Sequence, residues 1–98
     1  MEKKDYQKQM EDTLNEISNR IDEYKRRAQQ MGSEGREKFQ AQLRDLDAKK
    51  EAAGKRLDEV RQASSEAWTH MKAGMDMARD DLRFAYEKAR KRMEQVLH

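Results

Sequence analysis

The sequence predicts an all-α fold, a long helical hairpin of coiled-coil type. Three observations support this. Apolar residues recur at helical spacing almost end to end, proline is absent from all 98 residues, and acid-to-base pairs stand four residues apart along the chain. Composition agrees with a single helical unit over 1–98, because 43% charged and 35% hydrophobic residues cannot build a deep globular core. The mean hydropathy of −1.39 would also suit a disordered chain. The near balance of 22 basic and 20 acidic residues and the regular stripe favour helix instead.

The first element is expected to be one long helix over about residues 3–62. Met10, Leu14, Ile17, Ile21, Tyr24, Ala28 and Met31 follow alternating steps of four and three, the heptad rhythm. The stripe continues in phase through Gly35 to Phe39, Leu43, Leu46, Ala53, Leu57 and Val60. Gly32-Ser33-Glu34-Gly35 is the weak point, where glycine closes one helix and Ser33 caps the next if the chain breaks. Glycines in a helix cost about 1 kcal/mol each relative to alanine. Continuity of phase favours the unbroken helix, and closure as a three-helix bundle through a break at 32–35 is the alternative.

A second helix over 66–97 follows Ala63-Ser64-Ser65-Glu66, where either serine is a fitting N-cap and Glu66 a favourable first-turn acid. Here the stripe repeats every eleven residues, close to three whole turns. It runs through Val60, Ser64 and Ala67, then Met71, Met75 and Ala78, then Leu82, Tyr86 and Ala89, then Met93 and Leu97. A hairpin of unequal helices leaves Tyr6 to Met31 uncovered, so a homodimer or other homo-oligomer is expected, the swapped counterpart of the closed bundle. The expected interface comprises Met10, Leu14, Ile17, Ile21, Tyr24, Phe39, Leu46, Leu57, Val60, Trp68, Met71, Met75, Leu82, Tyr86 and Met93.

Surface charges fit helices throughout. Glu16/Arg20, Asp22/Arg26, Glu23/Arg27, Glu34/Lys38, Asp45/Lys49, Glu51/Lys55 and Glu87/Lys91 all place the acid N-terminal to the base. A net charge of +2 with acids interleaved among the basic runs builds no basic face, which argues against nucleic-acid binding. Without cysteine there are no disulfides or thiolate sites. The N-terminal MEKKDYQKQMED has no apolar leader core, and no stretch approaches the roughly 20 apolar residues of a membrane span, so a cytoplasmic location is expected.

Chemistry is sparse. Glu66 and His70 stand one turn apart, a spacing that can hold a metal, but only His98 could add another imidazole and nothing completes a ligand shell. Asp76, Asp80 and Asp81 lack the glycine-bearing loop of calcium sites. No phosphate loop and no nucleophile with a base are present, so neither an enzyme nor a cofactor is expected. Trp68 is expected to plug the closed end of the hairpin. Met71, Met75, Met77 and Met93 suit either core packing or an adaptable face for protein clients.

The segment from Ala67 to Leu82 resembles a bacterial family of short, charged coiled-coil proteins often labelled stress-response. Ala67, Trp68, Lys72, Gly74, Ala78 and Leu82 match its Ala-Trp-x-x-x-Lys-x-Gly-x-x-x-Ala-x-x-x-Leu pattern. Thr69-His70-Met71 and Ser64-Ser65 depart from it. A looser likeness is to the eleven-residue repeats of late-embryogenesis-abundant proteins, although this chain has more large apolar residues. The resemblance supplies no catalytic residues and adds little to function; the expectation is a non-enzymatic, self-associating coiled-coil protein that serves as a stress-related scaffold or protective factor. The competing expectation is an amphipathic helix on membrane surfaces, with Leu82, Tyr86, Met93 and Leu97 facing lipid.

Overall fold

Three helices, and no strand among the described residues, make up the chain: α1 (Lys3–Ala28), α2 (Ser33–Gln62) and α3 (Ser65–Leu97). The computed structural model describes residues 2–97, with side chains described through Gln95, so the stripe position Leu97 and the terminal His98 lie outside the described side chains. The helices run up, down and up in a rod 51 Å long and 18 Å across. At about 1.5 Å per residue, the 33 residues of α3 span that whole length.

The all-α class is as the periodicity predicts, but the long helix over 3–62 gives way to the closed three-helix bundle. The break falls at 29–32, slightly earlier than the 32–35 expected from the glycines. Helix α1 ends without any left-handed residue. Gln30 N–H donates to the Arg27 carbonyl at 3.0 Å and Met31 N–H to the Ala28 carbonyl at 3.1 Å, tightening the last turn. Gly32 (φ −61°, ψ 155°) is the extended N-cap of α2, so Ser33 is the first helical residue and not the cap. Phase could not reveal the break, because Ala28, Phe39 and Leu43 pack into one cluster in the folded chain and would equally share one face of a straight helix. Folding α1 back covers Tyr6, Met10, Ile17, Ile21 and Tyr24 within one chain. Full burial of each large side chain contributes about 1.5–3 kcal/mol, which outweighs a four-residue turn already weakened by glycine.

The second junction is capped as expected. Ala67 N–H donates to Ser64 Oγ at 3.1 Å, and Lys3 Nζ donates to the Ala63 carbonyl, tying the start of α1 to the end of α2. The two junctions therefore differ. No side chain caps α2 at Gly32, whereas α3 is capped by a serine and braced by a lysine.

The main core cluster runs from Tyr6 and Trp68 at one end, through Ile17, Leu46 and Leu82, drawing on all three helices. A smaller cluster of Tyr24, Ala28, Phe39, Leu43 and Met93 fills the end beside the α1–α2 turn, with Met31 against it. Among the described residues no charged or polar side chain counts as buried. Helix α1 approaches α3 less closely than either approaches α2, and aromatic rings bridge the wider seam. Tyr6 and Trp68 meet with ring centroids 5.2 Å apart, and Tyr6 Oη donates to the Met75 carbonyl at 3.1 Å. At the other end Tyr24 and Phe39 pack edge to face at 5.8 Å between α1 and α2.

Candidate interaction surface

The residues that periodicity marks as interface face inward in this chain. On α1, Met10, Ile17, Ile21 and Tyr24 are buried and Leu14 is half-buried. On α2, Phe39, Leu46, Leu57 and Val60 are buried. On α3, Trp68, Met75, Leu82 and Met93 are buried, with Met71 and Tyr86 half-buried against the same core. Their packing partners are helices of the same chain. Trp68 is the plug expected of it, although its indole N–H finds no acceptor. Ala85 joins the core from outside the eleven-residue stripe, because α3 packs on two helices and its buried arc is wider than one seam.

Helix geometry turns two large apolar side chains outward. Met77 and Phe84 are each 68% exposed and stand seven residues apart, so they lie one above the other on the outer face of α3. Lys88, one turn beyond Phe84, holds its ammonium 5.7 Å from the ring centroid. Asp80 and Asp81, both exposed, flank the pair, and Arg79 lies within 3.8 Å of Asp76 and Asp80. Met77 stands out in the sequence only as one methionine among several. Phe84 gives a weaker signal still, since nothing but its position off the stripe separates it from a core aromatic.

Elsewhere the surface is charged and laced by pairs within single helices. Glu23 joins Arg27 at 3.0 Å and Glu34 joins Lys38 at 3.8 Å, two of the expected pairs, while Glu87 pairs with Arg90 at 2.7 Å in place of Lys91. Arg61 reaches across from α2 to Glu11 at 2.9 Å and also holds Asp58. These exposed pairs orient side chains and favour helix more than they stabilise the fold. Open surface depressions follow the α1–α2 seam between Lys25, Ala28, Gln40 and Leu43 and the α1–α3 seam between Arg20, Tyr24, Tyr86 and Arg90.

Glu66 and His70 are both exposed on the first turns of α3, and no group of three histidine or carboxylate side chains converges among the described residues. No described helix is long and apolar enough to cross a membrane. No family model, curated protein or solved structure matches the chain.

Proposed function

We propose that this chain is a non-enzymatic helical scaffold or protective factor that acts by surface contact, with copies of itself and with protein clients, through the outer face of α3. The observation behind the proposal is the outward pair Met77 and Phe84, each 68% exposed, whereas the other large apolar side chains among the described residues are buried or half-buried. Methionine and phenylalanine together offer a soft, adaptable surface. Their combined area is on the order of 300 Å², well short of the roughly 800 Å² per partner of a standard interface. Contacts made there are weak and exchange readily, which suits a factor that holds clients transiently.

A membrane-surface role is less well supported. Of the residues that would face lipid, Leu82 and Met93 are buried in the core and Tyr86 is half-buried against it. Titration with anionic vesicles should therefore leave Trp68 emission unchanged. The main test is the double variant Met77→Ser/Phe84→Ser, compared with the parent in sedimentation velocity at high concentration and in suppression of heat-induced client aggregation. Loss of client suppression, and of association between closed chains that have not been unfolded and refolded, is expected with unchanged helicity. Undiminished client protection in the variant would overturn the proposal.

A further inference from the structure

We infer that the turn Gln29–Gly32 is a hinge through which two copies of this chain exchange α1, forming an elongated domain-swapped dimer in which residues 3–62 become one continuous helix. The inference goes beyond the α3 face and does not depend on it. That face is too small for a stable dimer, whereas an exchange reuses the whole α1 seam.

Four observations support the hinge. The apolar stripe stays in phase across it, so Tyr24, Ala28, Met31, Gly35 and Phe39 would line one face of a straight helix. Little in the turn resists straightening: it has no proline and no left-handed residue, Gln29 already has helical angles (φ −63°, ψ −20°), and only the extended Gly32 has to change its ψ from 155°. No side-chain cap at Gly32 would be lost on opening, in contrast to the second junction, where Ser64 and Lys3 hold the bend. Finally, every contact α1 makes with α2 and α3 can be made by the α1 of a partner, since the two long helices would run antiparallel and cross near Gly32. Glycines at that crossing let the two backbones approach closely.

Because the exchanged contacts are the same, the balance rests on the connector and on concentration. Tethering gives α1 a high effective concentration and favours the closed chain when dilute. Straightening adds helix but places Gly32 in a helix interior, where glycine is the poorest residue after proline.

Two substitutions read that balance in opposite directions. In the closed chain Ser33 is the first helical residue and Gly32 before it has polyproline-like angles, so Ser33→Pro fits the bend. Within a continuous helix the same substitution is a strong breaker. Gly32→Ala meets nothing within 4 Å in the closed chain, yet it weakens the N-cap and improves the continuous helix. Gly54→Ala is the control, since Gly54 is mid-helix in both forms and its added Cβ also meets nothing within 4 Å.

The experiment is to unfold each protein in guanidinium, refold it at about millimolar concentration, and measure sedimentation equilibrium and small-angle scattering. The parent should give a dimer with a long dimension of about 90 Å, against 51 Å for the closed chain. Gly32→Ala should tighten it by about fivefold per connector, about 25-fold in the dissociation constant. Ser33→Pro should weaken it more than a hundredfold while remaining a folded monomer by circular dichroism. Gly54→Ala should leave the constant unchanged. A parent that stays monomeric overturns the hinge, as does a dimer unchanged in Ser33→Pro or Gly32→Ala. A dimer that keeps a length near 50 Å and dissociates in Met77→Ser/Phe84→Ser also overturns it, but leaves the α3-face reading in place.

Discussion

Tyr6 shows how one side chain closes the wide α1–α3 seam. Its ring packs against Trp68 and its hydroxyl bonds the Met75 carbonyl at 3.1 Å, so both its apolar body and its polar tip are used. Burial raises its phenol pKa above the ordinary 10.0, with the Arg79 charge partly opposing the rise. A raised pKa means that the fold favours the neutral phenol. The corresponding stability is fully present below pH 10 and declines as pH rises through the folded-state value. Burial raises Tyr24 in the same direction. Tyr6→Phe should cost about 0.5–1.5 kcal/mol at pH 8 by losing the hydrogen bond, and should flatten part of the alkaline loss of stability. Guanidinium melts at pH 8 and pH 11 read both effects.

Helix ends matter more than helix middles in deciding the shape of this chain. The start of α3 was legible in Ser64-Ser65-Glu66 because a capping hydrogen bond spans three residues and is therefore a local signal. Ser64→Ala should destabilise the bundle by about 1 kcal/mol in equilibrium unfolding. The end of α1 was less legible: Gly32 marks the beginning of α2, while α1 closes at Ala28 through backbone bonds that any residues could make. Helix interiors hold unused stability. Gly54 and Gly74 are helical and an added Cβ at either meets nothing within 4 Å, so Gly54→Ala and Gly74→Ala should each raise stability by about 1 kcal/mol in the same assay.

For the molecule as a whole, stability is shared. Leu46 is fully buried in a cluster drawn from all three helices, so truncating it opens a cavity that every helix borders. Leu46→Ala should cost about 2–5 kcal/mol, a large part of the roughly 5–15 kcal/mol of a typical domain. Circular dichroism and Trp68 fluorescence should still report one transition, although Trp68 lies at one end of the rod and Leu46 near its middle. Two separate transitions would show that the small cluster of Tyr24, Phe39, Leu43 and Met93 melts by itself.

Spacing along the chain was enough to identify helical sequence and its apolar face, though not the division of 3–62 into two helices, because a helix makes residues three and four apart neighbours whatever surrounds it. It could not say which surface would cover the stripe from Met10 to Met31. A straight and a folded chain present identical periodicity, and the choice rests on a four-residue turn weighed against burial of Tyr6, Met10, Ile17, Ile21 and Tyr24 by helices distant in sequence. The outward position of Met77 and Phe84 was hidden for a related reason. Which apolar residues remain exposed depends on how many neighbours a helix has, and α3 has two, whose combined contact draws in Ala85 and leaves Phe84 outside.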